Sequence, residues 1–592
     1  MKVLIDKQYL INIAEKLKNK LNQGLLYFPL DYANLIKAID DVTTGGQLDL
    51  SDYFKTYIDC SSNSNYQDLP YYSLSKVAKE LPENWTINIK NNVTSLQGCF
   101  SSTNIIKSVN FLNSGSSVTN FSDMFYRCTK MLSFSNLNTS HGTNFSSMFF
   151  YCNSLTTIPQ LDTSNGTDFN HMFGNCSSLT SIPLLDTSNG INFRRMFEDC
   201  TNLTSVPQIN TSNGTNFSQM FFKCEKLTFV PFLNTSNGEN FGGMFGRCKL
   251  LTTIPQIDIS NGTDFSDMFY DCTSLTTIPL LDTSNGIYFG GGSEGIFNYG
   301  MFCKCTSLTT IPQLNTSNGT NFNGMFEECS ALTTIPQLDT SNGIYFNHMF
   351  YNCTSLTTIP LLDTSNGINF GGMFYNCTSL TTIPQIDTSN GTDFSSMFYG
   401  CDMNIIPQID TGNGINFNGM FDKCRNLTSI PAWLDLTNAT SISRLFAGTK
   451  LTSFPSIDTS KVMYAEELFN DCRDLVSIGQ LDFSNISKLQ SGFYSYWLGF
   501  LYNCGSLTDV GGFVNLGQAY STTSSANNDY YTLDLSECSL LTYQSLMNII
   551  NNLYDIATKG CNAQKLIMGT TNMAKLDPTE IAIATNKGWT VS

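Results

Sequence analysis

Apolar residues recur along this chain in short steps rather than in long blocks. Between Phe145 and Gly166 they stand at Phe145, Met148, Phe149, Cys152, Leu155, Ile158 and Leu161, three or four residues apart, with polar residues between them. The same sentence, Asn-Phe-x-x-Met-Phe-x-x-Cys-x-x-Leu-Thr-x-Ile-Pro-x-Leu-Asp-Thr-Ser-Asn-Gly, returns again and again from Cys128 to Cys504. Cys128, Cys152, Cys176, Cys200, Cys224, Cys248 and Cys272 are spaced by 24 residues, and the spacing resumes at Cys305, Cys329, Cys353, Cys377 and Cys401. Such a period means a solenoid, because one unit cannot bury its own apolar face and must stack on its neighbours.

Each unit reads as one coil that points a wedge of aromatic, sulfur and aliphatic groups inward and leaves Thr156, Thr157 and Gln160 to water. The Leu-Thr-Thr-Ile segment is extended and rich in β-branched residues, which predicts one short strand per coil in a parallel sheet. Pro159 ends that strand, because it has no N–H for the ladder. Asp162-Thr163-Ser164-Asn165-Gly166 then predicts a turn in which the carboxylate caps backbone amides and Gly166 adopts positive φ. A calcium-binding role for the Asp position is disfavoured. Asn210, Asn234 and Asn315 take the slot that Asp186, Asp258 and Asp282 hold elsewhere, and the glycine-rich nonapeptide of calcium-binding solenoids is absent. A flat ice-binding lattice of threonines is spoiled by Phe229, Phe232 and Leu280, so a solvated sheet face is expected.

Two coils are interrupted just before the Met-Phe pair. Nine residues are added within Gly290–Gly300 and eight around Ser491–Gly499. Phe493, Tyr494, Tyr496, Trp497, Phe297 and Tyr299 in these inserts are candidate partner contacts, since aromatic rings supply contact area at low entropic cost. In the second insert the same rings have an equal alternative, folding back over the exposed end of the repeat core. A deletion near Cys401–Pro407 and a gain at Pro431–Asp435 are bulge-sized and are expected to leave the stacking register intact.

The ends differ from the array. Ile11, Ile13, Ala14, Leu17 and Leu21 form one helical stripe, and Ala33, Ile36 and Ile39 form a second that Asp31 is placed to cap. Residues 1–46 therefore read as a helical hairpin and joint, and 47–92 as the N-terminal cap of the solenoid. The repeats span 93–512, and 513–592 read as an α/β C-terminal capping region. There Thr542 and the Asp577-Pro-Thr-Glu580 box start helices, and Leu566-Ile-Met reads as a strand.

Charged residues are only 13% of the chain and the net charge is −17, which works against nucleic-acid binding. No run of 18 apolar residues exists, and the N-terminus lacks the apolar stretch of a signal peptide, so neither membrane insertion nor Sec export is expected. Most of the 20 cysteines fall in one slot of the repeat, which Gly448 takes once. Stacking at roughly 4.8 Å would permit neighbour disulfides, but the swap favours reduced thiols acting as small apolar fillers. The three histidines, His141, His171 and His348, lie in different coils and offer no triad or metal site. The acid pairs Glu198-Asp199, Glu327-Glu328 and Glu466-Glu467 read as solvated neighbours rather than a glycosidase pair. No catalysis, cofactor or metal is expected.

Met-Phe-x-x-Cys-x-x-Leu-Thr-x-Ile followed by Leu-Asp-Thr-Ser-Asn resembles the BspA-like leucine-rich repeats of bacterial surface proteins, a group also described from mycoplasma lipoproteins. The resemblance covers roughly 93–512 and implies a leucine-rich-repeat solenoid used for adhesion or recognition, with no catalytic residues. The line from Ile11 through Lys20 to Tyr27–Ile39 resembles the leader of tail and appendage proteins of phages that infect gut bacteria. Ala584–Thr590 resembles the C-terminal cap of repeat proteins from the same sources. Together these resemblances imply a virion protein assembled in the host cytoplasm. Its N-terminal region would contact other virion proteins, and its solenoid would contact a host-surface protein or glycan. A bacterial surface adhesin or a structural spacer are the alternatives.

Overall fold

The computed structural model describes residues 84–89, 94–114, 117–291, 299–403, 406–486, 499–518, 532–559 and 564–592, in two compact units that divide between Asn285 and Gly286. The helical hairpin expected over 1–46, and all of 47–92 but a few residues at its end, lie outside the described residues.

In the first unit each coil is joined to the next through its Phe-x-x-Met-Phe segment. The N–H groups of Phe145, Ser147, Phe149 and Tyr151 donate to the carbonyls of Asp168, Asn170, Met172 and Gly174 at 2.8–2.9 Å. The intervening N–H groups of Met148, Phe150 and Cys152 close turns onto Phe145, Ser147 and Phe149 within the coil. Alternate amides thus serve the coil and its neighbour. This requires positive φ at Ser147 (54°) and Tyr151 (62°), which costs roughly 1 kcal/mol or more at each non-glycine residue and is tolerated because the surrounding ladder fixes it. The second unit repeats the pattern, with Phe322, Gly324, Phe326 and Glu328 donating to Tyr345, Asn347, Met349 and Tyr351.

Inside the coils the wedge read from the sequence is buried throughout, from Phe145 to Leu161. Its aromatics form two stacked columns. Phe145 and Phe169 lie 5.7 Å apart at 4°, and Phe149 and Phe173 lie 5.6 Å apart at 1°. The second unit has two such columns of its own, with Phe322–Phe346 and Phe326–Phe350 at 5.6 and 5.7 Å.

The expected strand per coil is corrected. Strands occur only near the ends of the described repeats: β1 (Asn84–Ile89), β2 (Ser108–Ser114) and β3 (Ser133–Ser135) in one parallel sheet, and β4 (Ser453–Phe454), β5 (Ser477–Ile478) and β7 (Asp509–Val510) in another, with β6 (Leu481–Asp482) beside β8 (Phe513–Val514). In the coils between, Leu-Thr-Thr-Ile makes at most a single backbone bond, as from Thr180 N to Thr156 O at 3.0 Å. The reason is the proline. Where Gly479 and Gly511 replace it, their N–H groups donate to Phe454 O and Ile478 O at 2.6 and 2.9 Å, and a strand forms. Proline has no N–H to make that second bond.

The Asp-Thr-Ser-Asn-Gly turn is assigned atom by atom. Asp162 Oδ1 accepts from Ser164 N at 3.1 Å and Ser164 Oγ at 2.7 Å. Asn210 accepts the same backbone bond from Ser212 at 3.0 Å, which explains why Asn and Asp exchange freely. Thr163 Oγ1 reaches forward to Asp186 O at 2.7 Å, and Asn165 Nδ2 reaches back to Ser140 O at 2.7 Å. Gly166 does not adopt positive φ, contrary to expectation. It is glycine because an added Cβ would sit 2.4 Å from Phe169 Cζ and 3.0 Å from Thr163 O.

All 18 described cysteines are buried and free. They are more than fillers: Cys152 Sγ donates to Phe125 O at 3.2 Å and Cys176 Sγ to Phe149 O at 3.0 Å. Gly448 does not take the cysteine slot. The residue gained at Pro431–Asp435 shifts the register by one, so Thr449 occupies the slot and its hydroxyl bonds Phe446 O at 2.7 Å.

The second unit ends in a parallel sheet of β9 (Thr532–Asp534), β10 (Gln564–Ile567) and β11 (Trp589–Val591), with helices α1 (Tyr543–Asn552), α2 (Gly569–Met573) and α3 (Pro578–Asn586). Thr542 caps α1, and Asp577 with Glu580 forms a reciprocal capping box at α3. Lys587 Nζ gathers the carbonyls of Ile550, Asn551 and Leu553 at 2.7–3.2 Å, neutralising the carboxyl end of α1.

Candidate recognition face

On the edge of the coil away from the ladder, the backbone of the first unit is open. None of the N–H groups of residues 157–163, 181–187 or 208–211 donates to a backbone carbonyl, and the coils of Ser205 and Phe229 meet only in an isolated bridge there. The gap is bridged by side chains instead. Gln160 Nε2 reaches Leu184 O at 2.6 Å, Gln208 Nε2 reaches Phe232 O at 2.5 Å, and Gln256 Nε2 reaches Leu280 O at 2.8 Å. Glutamine therefore alternates with an apolar residue along one row: Gln160, Leu184, Gln208, Phe232, Gln256, Leu280. The apolar members are not in the core. Leu184, Phe232 and Leu280 are 60%, 59% and 65% exposed, and Phe229 in the coil of Phe232 is 62% exposed.

Along the first four members of this row runs a groove of about 700 Å³ whose lining includes Gln160, Asp162, Leu184, Asp186, Gln208 and Phe232. Two bonds from Ser188 hold Asp186 below the usual range, and Ser260 does the same for Asp258 further along. No lysine or arginine lines the groove.

Five of the six aromatics expected to contact a partner, Phe297, Phe493, Tyr494, Tyr496 and Trp497, lie outside the described residues. Tyr299 is half-buried, with Lys304 Nζ 5.9 Å from its ring centre. The acid pairs are not the solvated neighbours expected. Glu198 lies 3.5 Å from His171 Nε2, Asp199 receives Lys223 Nζ at 3.1 Å, and Glu328 is 3.6 Å from Lys304. Glu467 is buried and paired to Arg444, which also donates to Asp422 at 2.8 Å. Burial pushes Glu327 up to about 6. The positive-φ turns aim these side chains along the stack, toward the equivalent position one coil away. Among the described residues no group of three His, Cys, Asp or Glu is placed to hold a metal ion. The exposed apolar row was overlooked as a site. Its signal was the Gln–apolar alternation, legible only once glutamine is seen to span the gap between coils.

Four stretches, residues 72–183, 192–285, 298–407 and 392–498, match one family profile, described as Mycoplasma protein of unknown function, DUF285. The chain belongs to the DUF285 family. That membership agrees with the resemblance of its repeat to mycoplasma and BspA-like leucine-rich repeats. Among solved structures, this DUF285 protein is similar to a leucine-rich cell surface protein of Faecalibacterium prausnitzii, with 14% identity over 76% of this chain and 92% of that one and a TM-score of 0.26. It is also similar to a leucine-rich-repeat protein of Eubacterium ventriosum, with 15% identity over 63% and 90% and a TM-score of 0.30. The T. pallidum leucine-rich-repeat protein matches at 21% identity over 29% and 79%, with a TM-score of 0.23. No curated protein matches the chain.

Proposed function

We propose that this chain is a non-enzymatic recognition protein whose repeat coils present an open groove to a macromolecular partner. The observation that carries the reading is the row in which Leu184, Phe232 and Leu280 stand exposed at every second coil, with Phe229 exposed in the coil of Phe232, where the core gains nothing from them. Scattered apolar residues on a surface are ordinary, but large ones recurring in one row over a groove rimmed by polar groups mark an interaction surface.

The finer reading places the chain on a phage virion, docked through residues 1–46 and facing a host-surface protein or glycan. It rests on the resemblance of that leader to tail and appendage proteins. A bacterial cell-surface adhesin is the second reading, favoured by membership of a family described from Mycoplasma. No helix among the described residues is long and apolar enough to cross a membrane.

Retention of the purified chain on intact bacterial cells and on epithelial surfaces tests recognition, with the double variant Leu184→Gln/Phe232→Gln measured beside it. Retention on either surface that the variant loses supports the reading, and retention on neither contradicts it. Immunogold labelling then separates the two locations, particles for the virion and the cell envelope for the adhesin.

A further inference from the structure

We propose that the groove of the first unit takes an extended basic peptide segment of a partner protein, apolar at its centre and flanked by lysine or arginine. This deepens the recognition reading and rests on it. The first argument is charge. The turn carboxylates Asp162 and Asp186 line the groove on one side of Phe232, where no cation of the lining answers them, and Asp258 and Asp282 follow in the coils beyond its other end. The two turns nearest the phenylalanines carry Asn210 and Asn234 instead, so the negative charge is removed where the apolar centre sits and kept at its flanks.

The second argument is hydrogen bonding. The amide N–H groups of Gln160, Gln208 and Gln256 are spent on carbonyls of the next coil, leaving each Oε1 as an acceptor. The hydroxyls of Thr163 and Ser164 are likewise spent within the turns. Side chains of the groove therefore mostly accept, and a ligand rich in cationic donors complements them. The N–H groups of Leu184, Leu185 and Asp186, which line the groove and donate to no backbone carbonyl, supply what a peptide's carbonyls require. A sulfated or sialylated glycan would meet the carboxylates with like charge, and a neutral one would leave them unanswered.

The third argument is length. Asp186 and Asp258 are three coils apart, about 14 Å at roughly 4.8 Å per coil, which four or five extended residues span. A short segment thus reaches from one acidic flank across Phe232 to the other.

Fluorescence anisotropy of a labelled Arg-Lys-Leu-Thr-Leu-Lys-Arg peptide with the full chain tests this, alongside the same peptide with glutamate at its four basic positions. Saturable binding of the basic peptide alone is expected, weakened at least fivefold by Phe232→Ala and by Asp186→Asn. The second variant keeps the turn, since Asn210 already makes it. Absence of saturable binding overturns the proposal. So does binding that Asp186→Asn abolishes and Phe232→Ala leaves untouched, which is charge attraction without a site, or displacement of the peptide by a neutral oligosaccharide. If the peptide fails while the chain still adheres to cells through Leu184 and Phe232, the peptide assignment falls and the recognition reading stands.

Discussion

The thiol of Cys353 donates to the carbonyl oxygen of Phe326 in the preceding coil, 3.0 Å away. That oxygen already accepts the N–H of Cys329 at 3.1 Å, so one carbonyl ties its own coil and the next together. Cys353→Ser should keep a donor for that oxygen, whereas Cys353→Ala removes the bond between the coils and should cost about 1 kcal/mol. Burial also pushes Cys176 and Cys329 up to about 12, so native protein should resist iodoacetamide at pH 8. Rapid labelling of the repeat thiols without denaturant, or neighbour disulfides found in unreduced protein, would contradict the thiol ladder.

Phe326→Ala removes one ring from a stacked column and should cost about 3–5 kcal/mol. Because a coil is held by its neighbours, the loss should be local. Hydrogen exchange is expected to quicken in the coils of Phe302 and Phe350 and to leave the coils near Cys152 unchanged. Equal loosening of both would show that stability is not shared between nearest neighbours.

Two substitutions in one turn should behave oppositely. A Cβ at Gly343 would lie 2.3 Å from Phe346 Cζ and 2.9 Å from Thr340 O, so Gly343→Ala must displace the core ring and lower the midpoint of urea unfolding. Asp339→Asn should shift it little, because Asn315 makes the same turn one coil earlier. A neutral Gly343→Ala would mean that the turn glycine answers to something other than the ring beneath it.

Asp123 gives a pH test with a defined sign. Burial raises its folded pKa to about 6 from an ordinary 3.8, and the field of His171 lowers it by less. Ionised Asp123 therefore costs stability above pH 6, and the cost is relieved as pH falls toward 4. Asp123→Asn should slow exchange in its coil at pH 7.5 relative to the parent and change little at pH 4, after correction for intrinsic rates. A larger gain at the acidic end would reverse the assignment.

What the sequence could reveal was set by periodicity. Phe145, Met148, Phe149 and Cys152 are legible as core because their steps repeat in every coil, and all are buried. The strand expected at Leu-Thr-Thr-Ile was not, because the one N–H that proline lacks decides between a lone bond and a ladder, as Gly479 and Gly511 demonstrate. Gly166 looked like a positive-φ residue and is instead flattened under Phe169. The ring three residues on dictates it, through a close approach that only the folded coil creates. Glu467 looked solvated because the turn that aims it at Arg444 depends on backbone handedness that composition does not encode. Leu184 and Phe232 were visible only as interruptions of a polar column. Their meaning required knowing that the coils part there and that Gln160 and Gln208 span the opening.

The two edges of the coil are assigned opposite tasks: the Phe-x-x-Met-Phe edge locks coils through backbone bonds, and the Leu-Asp-Thr edge stays open for a partner. Amide hydrogen exchange on the free, full-length chain reads this directly. The N–H groups of Phe145, Ser147, Phe149 and Tyr151 should exchange slowly, and those of residues 181–187 and 208–211 quickly, apart from amides capped by turn side chains. Equal protection of the two edges would mean that the second is already closed, and the groove would no longer be available to a ligand.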